Sequence, residues 1–539
     1  MTNAYKIIYG KVTVKMNWGD KIERICAVLV CILTSVCILP VWAVSIVWTQ
    51  SFWNETSQEY TDVFMFRIRD GIKFNLLFCI VALFLFTMIC VGARRMKQWQ
   101  ITALIALEAV AVVIFCGVYN WQLRPIQWAD YSQIVSIAGA FVRGDFSQFT
   151  PGAYLATYPH QLGLICLVMG IIKLVGGANA IPTFQILNCF CAGGILVFGY
   201  RIVHCIWQRK EIDLIYGLIQ GMCLPLYFYT GLVYGEIISI MLLLVGMEQM
   251  VRMCCQKRVT WQRAGVMLLS LGLAVAFRKN SLVVFIAMGI VLLIVMLKEK
   301  YWKLMLLYLV LFGGVIVPLV LRKGVFGAFP DEGAMPTAIW IYIGMGEGGG
   351  FGYGAYDGKA AKIMEEADYD TERANDIVME LIGDKMSYFR QNPQQAALFY
   401  REKVLWQWTD PSFHCFTYTR LTEKGYPVGL AYDIVKGKVR AGIFDFMDAY
   451  QSFVYLLSVI GVLGIVRRRE TIVNLLWAVI LLGGFFFHIL WEADSRYIYP
   501  YFVLMLPMCA YGVCSMSDAA LRIAERMRNY VKIKMKQDV

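Results

Sequence analysis

Two acids, Asp130 and Asp145, stand in a polar, aromatic-rich stretch that reads WQLRPIQWADYSQIVSIAGAFVRGDFSQFTPGAYLATYPHQLG from Trp121 to Gly163. Long apolar regions flank it. Other charged residues gather at the ends of apolar runs: Glu236 in TGLVYGEI, Arg278 and Lys279 in FRKN, and Glu492, Asp494 and Arg496 in WEADSRY. Charges at a membrane edge are costly, so each is a candidate site by default. A carboxylate such as Asp130 can take a proton from an acceptor hydroxyl. Arginine and lysine make charge-assisted hydrogen bonds to phosphate oxygens. A base opposite cations is the equipment for transfer onto a hydroxyl with phosphate departing.

Each residue also has a plainer reading. Asp130 suits the N-cap of the segment after it, with Gln133 completing a capping box. Asp145, following Gly144, suits a turn as well as a site. His160, in YPHQ beside Tyr158, can contact a phosphate or a sugar, or simply open a helix at the interface. Glu236 could orient the acceptor, or be a first-turn acid favoured by the helix dipole. Arg278 and Lys279 could hold phosphate or snorkel to head groups. Arg496 could bind phosphate and Glu492 sugar hydroxyls, with Tyr497 adjacent, or the two charges could pair at helical spacing.

The elements that position these residues follow from composition. The chain has 539 residues, 59% hydrophobic and 16% charged, with a mean hydropathy of +0.58. A soluble domain carries roughly 25% charge and cannot cover so much apolar surface. Runs of about 17–25 apolar residues recur, each long enough to span a bilayer. The expected fold is an all-α polytopic membrane protein.

Basic clusters at Lys6–Arg24, Arg94–Lys97, Arg209–Lys210, Arg252–Arg263, Lys298–Lys303, Arg467–Arg469 and Arg522–Lys536 fix a topology by the positive-inside rule. The net charge of +12 therefore reads as orientation, and no nucleic-acid partner is expected. Twelve spans are expected at 24–49, 74–93, 101–119, 181–204, 213–230, 234–251, 262–277, 281–297, 303–321, 452–466, 472–490 and 497–514. Both termini are then cytoplasmic, and the first span is retained rather than cleaved. The apolar run 160–175 would invert every later cluster if it crossed, so it is expected to be re-entrant. The segment after Asp130 carries Ile134, Ile137, Ala138, Phe141 and Val142 on one helical face and is expected to lie in the lipid–water interface.

Four regions result: a two-span N-terminal extension (1–100), a transmembrane core (101–321) carrying the loop 120–163, an external loop region (322–451), and C-terminal spans with a basic tail (452–539). The external region carries the run GMGEGGGFGYGAYDG, which lacks the lysine of a phosphate-binding loop and suits a lid over a sugar or a plain flexible loop. Trp406 and Trp408 could stack on a sugar or anchor at the interface. A helix is expected around Ala374–Phe389 and another through Trp406, with Asn392 and Pro393 as its cap and first turn. Sixteen cysteines sit mostly inside apolar runs, and the external region holds only Cys415, so no disulfide is expected within it. Four histidines and no Cys/His spacing give no protein-made metal set to expect.

Asp130 after the span 101–119, the pattern A-x-x-F-x-x-G-D from Ala138 to Asp145, Y-P-H from Tyr158, the acid Glu236 and E-A-x-S-R-Y from Glu492 to Tyr497 carry a resemblance. In order and sidedness along most of the chain they resemble the GT-C superfamily of integral-membrane glycosyltransferases. The nearest branch is the bacterial one related to protein O-mannosyltransferases and aminoarabinose transferases (family 39-like). That resemblance implies inverting transfer from a polyprenyl-phosphate sugar on the extracytoplasmic side of a bacterial plasma membrane. It implies Asp130 as base, with Glu236 as a second catalytic acid. Arg278, Lys279 and Arg496 would hold the donor phosphate; Asp145, Tyr158, His160, Glu492 and Tyr497 would contact sugar or acceptor. No cofactor is implied, and with no acidic D-x-D pair the use of a divalent metal stays open. The partners implied are the donor, membrane lipids and a glycan, lipid or protein acceptor. The two spans before 101 depart from the family pattern. A transporter or flippase of a lipid-linked glycan, and a glycan polymerase or ligase, are the competing classes; charges at one membrane face, without two related halves, favour the transferase.

Overall fold

The computed structural model describes residues 17–61, 65–326, 333–350, 352–423 and 429–537. Lys6, Lys11 and Lys15 of the basic N-terminus and residues 327–332 of the Gly/Pro-rich coil lie outside the described residues.

The main helices are α1 (Trp18–Ser45), α2 (Ile72–Arg95), α3 (Gln98–Leu123), α4 (Asp130–Val142), α5 (Leu162–Val175), α6 (Gly177–Trp207), α7 (Lys210–Gly221), α8 (Glu236–Cys255), α9 (Trp261–Phe277), α10 (Leu282–Glu299), α11 (Met305–Phe326), α12 (Thr337–Gly344), α13 (Thr371–Gln391), α14 (Pro393–Trp408), α15 (Arg440–Arg467), α16 (Leu476–Leu490) and α17 (Ser495–Gln537). Among the described residues, nine helical segments are long and apolar enough to cross a membrane, or eleven if each of two bent pairs is one span. This is the build of an all-α polytopic membrane protein, in which helices satisfy every backbone group internally. Each of the twelve expected spans coincides largely with helix, the first ending at Ser45 rather than at residue 49. The one at 213–230 is bent by 53°, and those at 262–277 and 303–321 are shorter apolar helices. The span expected at 452–466 begins earlier, at Arg440.

Small residues let the helices close on one another, as apolar contacts alone drive little association in lipid. On α15 and α17, a Cβ on Gly461 would stand 2.1 Å from the Met508 carbonyl oxygen, and one on Gly512 1.9 Å from that of Leu457. At one end of the bundle the basic clusters converge: Arg94, Arg209 and Arg468 all pair with Asp518 of α17. The acids and cations of the candidate site lie at the helix connections of the other end.

The described helices of the N-terminal extension pack into the bundle: α1 packs on α15, α16 and α10, and α2 on α7, α15 and α17. Between them, Trp48–Ser51 pairs antiparallel with Phe66–Arg69, and Trp53–Asn54 with Glu59–Tyr60, as a short ribbon. The stripe on α4 also has a cause inside the protein. Tyr131, Ile134, Ile137, Ala138 and Phe141 are buried, and α4 packs on α5.

The run 160–175 is the second arm of a bent pair, Ser147–Thr157 and Pro159–Val175, whose axes differ by 99°. Pro159 causes the break. A residue before proline is driven out of the helical region, and Tyr158 takes φ −120° and ψ 63°. With 14 residues, α5 is only ~21 Å long, short of a bilayer core of about 30 Å.

In the region 322–451, α13 opens on Asp370, whose side chain accepts from the Glu372 and Arg373 amides. Pro393 does start α14, but Asn392 does not cap it: its amide nitrogen donates back to the Tyr388 carbonyl. The sixteen cysteines are all free.

Candidate active site

The segment before α4 is held from two sides. Gln127 donates to the Gly231 carbonyl at 3.0 Å and accepts from the Val233 amide at 2.8 Å. The Trp128 indole donates to the Tyr418 carbonyl at 2.9 Å. Between these anchors and the helix the chain must turn sharply, and Ala129 takes φ 48°, a region that favours glycine. Ala129 thereby occupies the cap position without a side-chain bond, and Asp130 falls in the first turn, so the expected Asp130–Gln133 capping box does not form. The Asp130 carboxylate instead accepts from the Tyr154 hydroxyl at 3.1 Å and the Tyr234 hydroxyl at 3.3 Å.

Asp130 lines a cavity of about 400 Å³. Tyr158, His160, Arg278, Lys279, Glu492, Arg496 and Tyr497 also line it. Chain segments more than three hundred residues apart thus supply one wall each.

The cations are set by close backbone approach. A Cβ on Gly235 would lie 2.4 Å from the Phe277 carbonyl oxygen, so the start of α8 rests on the end of α9. That contact brings Glu236 to Arg278, an ion pair of 2.8 Å. Glu236 is 4% exposed and does not line the cavity; it stands behind Arg278. The Arg278 guanidinium lies over the rings of Tyr234 (4.7 Å) and Tyr497 (5.8 Å). Arg496 shares both rings, at 5.5 and 5.1 Å, and donates to the Tyr131 hydroxyl at 3.1 Å. Its buried Nε makes no hydrogen bond among the described residues, with the Asp494 carboxylate 3.9 Å away. Two guanidinium groups sharing two aromatic faces, one with an unused donor, present a ready seat for an anion.

The connection 491–494 supplies two acids. Asp494 stands 2.9 Å from His414 Nδ1, accepts from the Arg496 amide at 2.7 Å and from the Tyr418 hydroxyl at 3.3 Å. Burial alone would raise its carboxyl, but His414 and Arg496 outweigh that and hold it well below the usual range. Glu492 and Arg496 do not pair directly. The Tyr497 hydroxyl joins them, accepting from Arg496 at 3.3 Å and donating to Glu492 at 3.3 Å.

Described residues of the region 322–451, among them Trp340, Tyr356 and Trp406, add a further wall to the cavity. Trp340 of α12 stacks on Trp491 with ring centroids 6.5 Å apart, and Tyr158 reaches Tyr356 hydroxyl to hydroxyl at 3.4 Å. Two glycines of the run 344–358, Gly344 and Gly352, meet α14. Lys403 of α14, fully buried, donates to the carbonyls of Gly344 (2.5 Å), Ile489 (2.9 Å) and Trp491 (2.7 Å). A side chain on Gly352, at φ 106°, would strike Trp406. Trp406 lines the cavity, whereas Trp408 is buried against Phe485. From the N-terminal ribbon, Phe52 packs on His414 with centroids 3.7 Å apart and reaches the cavity wall. Asp145 is exposed, accepts from the Ser147 amide at 3.0 Å, and lies away from the cavity.

A second cavity of about 330 Å³ adjoins the first and shares His160, Lys279 and Trp340 with it. Its other walls include Leu162, Gly163, Cys166, Val275 and Leu282 from α5, α9 and α10. The first space is lined by three acids and three cations, and its neighbour mostly by apolar side chains. Among the described residues no three His, Cys, Asp or Glu side chains are grouped to hold a metal ion.

No family model matches this chain, and no curated protein matches it. Among solved structures it is similar to the archaeal oligosaccharyltransferase AglB from Archaeoglobus fulgidus, solved in complex with an inhibitory peptide and a dolichol-phosphate. The identity is 10% and the TM-score 0.38, over 78% of this chain and 52% of that one. The chain therefore spans about half the length of that structure.

Proposed function

We propose that this protein is a membrane glycosyltransferase of the GT-C kind, moving a sugar from a polyprenyl-phosphate donor to an acceptor hydroxyl. One observation carries the reading: a carboxylate, Asp130, and two arginines line one cavity, which shares His160, Lys279 and Trp340 with a neighbouring, mostly apolar space. A ligand that fills both is an amphiphile with an anionic head, and a polyprenyl-phosphate sugar is one.

In this account Arg278, Lys279 and Arg496 hold the donor phosphate and the apolar space takes the first isoprene units. The acceptor hydroxyl sits beside Asp130. As its oxygen bonds to the sugar C1, the C1–O bond to phosphate breaks and the phosphate leaves with the electron pair. Asp130 takes the hydroxyl proton, and the cations take the charge that develops on the departing group. Attack opposite the leaving group inverts C1. Phosphate already leaves well, so the chemistry asks for no strong acid. Trp340, Trp491 and Tyr158 offer ring faces to a sugar. Glu236 keeps Arg278 oriented, and Asp145 has no part. The positive-inside pattern of the sequence supports a site on the extracytoplasmic side of a plasma membrane, with cytoplasmic termini. The motifs from Asp130 to Tyr497 support the family 39-like branch.

Bent helices are also a transporter feature, and the pairs at 147–175 and 210–231 give that reading its one support. Incubation of the purified protein in detergent with labelled polyprenyl-monophosphate sugars separates the classes. Release or transfer of label is expected. In a parallel assay with the protein in sealed vesicles, movement of intact donor across the bilayer without release would replace the proposal with a flippase, and use of diphosphate-linked oligosaccharides alone would replace it with a polymerase or ligase.

A further inference from the structure

Glu492 and Asp494 lie two residues apart in one connection, yet their surroundings differ in kind. Asp494 has a histidine, a main-chain amide and a phenol directed at its two oxygens. Glu492 is 7% exposed and receives one side-chain hydrogen bond, the 3.3 Å contact from Tyr497. No described cation lies within ion-pair distance of it. Arg496 reaches it only through the Tyr497 phenol. Lys403, which burial pulls down to about 7 against the opposing charge of Glu492, directs its protons to three main-chain carbonyls. His488 faces only its main-chain oxygen, at 3.5 Å. Tyr158 and Tyr356, across the cavity, are neutral phenols.

A buried carboxylate with one phenol donor and two carboxylate neighbours, Asp494 and Asp130, lacks the partners that an anion needs. Two acids whose environments diverge in this way divide into one ionised and one neutral group. We infer that Glu492 faces the cavity as a neutral carboxylic acid and donates a hydrogen bond to a phosphoryl oxygen of the bound donor. The inference rests on the donor proposed above. Among the described residues its Oε1 has no partner, and it opens on the same space as Arg278 and Arg496. An anion there would repel the phosphate that these arginines attract; a neutral acid adds a donor instead. Burial, then the charges of Asp494 and Asp130, push the Glu492 carboxyl up to about 8 against the opposing pull of Arg496.

Glu492→Gln reproduces the neutral form and keeps an N–H donor. The infrared difference spectrum between wild type and Glu492→Gln at pH 7 should contain a protonated-carboxyl C=O band that disappears above pH 9. Titration with polyprenyl monophosphate in detergent, followed by thermal shift, reads binding without turnover. Wild type and Glu492→Gln should bind alike at pH 7, and wild type alone should weaken above pH 8. Glu492→Ala should bind about 10–100-fold more weakly. Absence of the infrared band, or a correctly melting Glu492→Gln that binds as poorly as Glu492→Ala, would overturn the inference. Neither readout needs sugar transfer, so a failure of the transferase reading would show separately in the labelled-donor assay.

Discussion

The Tyr234 hydroxyl donates to Asp130 at 3.3 Å while the ring of the same residue lies under the Arg278 guanidinium at 4.7 Å. One side chain therefore fixes the distance between the proposed base and the proposed phosphate site. Its hydroxyl is itself held, accepting from Gln161 at 2.9 Å. Tyr234→Phe keeps the ring and removes one of two donors to Asp130. A single hydrogen bond contributes about 0.5–1.5 kcal/mol, so kcat should fall roughly 2- to 10-fold with donor KM little changed. Tyr234→Ala should raise donor KM as well, because Arg278 loses its platform. Steady-state kinetics on both variants separates the two roles.

Glu236 and Arg278 form a buried pair in which only the arginine meets the cavity. Removing one partner of such a pair costs about 3–5 kcal/mol. Glu236→Ala should therefore lower the melting temperature strongly. Glu236→Gln, which keeps the shape, should melt closer to wild type and retain turnover, since Arg278 still faces the donor. A folded Glu236→Gln without turnover would give Glu236 a direct part in the reaction.

Cys166 lines the apolar space and not the polar cavity. Cys166→Trp should fill that space. Donor KM should rise for long polyprenyl chains and stay near the wild-type value for a short-chain donor, measured side by side. An equal loss on both would place the lipid elsewhere.

The two acids of the 491–494 connection have opposite pH signatures. Asp494 is held below its ordinary value of 3.8, so its contribution is present above that pH and is lost as the pH falls. Glu492 is raised from 4.5 to about 8, so its contribution is complete below pH 4.5 and is lost as the pH rises through about 8. Thermal melts of Asp494→Asn should lose the acid-side slope, and melts of Glu492→Gln the alkaline-side slope.

Much of this site was legible in the sequence because membranes punish charge. Asp130, Arg278, Lys279, Glu492 and Arg496 could be gathered from their positions at span ends, and the cavity gathers them. Charge did not reveal depth: Glu236 belongs to the same set but stands behind Arg278, and Asp145 makes a turn. Tyr154 and Tyr234 were hidden because tyrosine at a membrane edge is commonplace, and only folding brings their hydroxyls to Asp130. His414, Trp340 and Phe52 come from segments distant in sequence, and no local pattern marks them. The ribbon of the strand pairs 48–51/66–69 and 53–54/59–60 was missed for the same reason: four short strands between two spans read as a polar loop. Its packing on His414 gives the two N-terminal spans a structural task, which their apolar composition alone did not disclose.

The central claim is that Asp130 removes the proton from the acceptor. Asp130→Asn keeps the shape and still accepts from Tyr154 and Tyr234, so folding and donor binding should persist. Single-turnover transfer from a labelled polyprenyl-monophosphate sugar should fall by about 10²–10⁴-fold in this variant, with the donor dissociation constant unchanged. Transfer at the wild-type rate by a correctly folded Asp130→Asn protein would contradict the account.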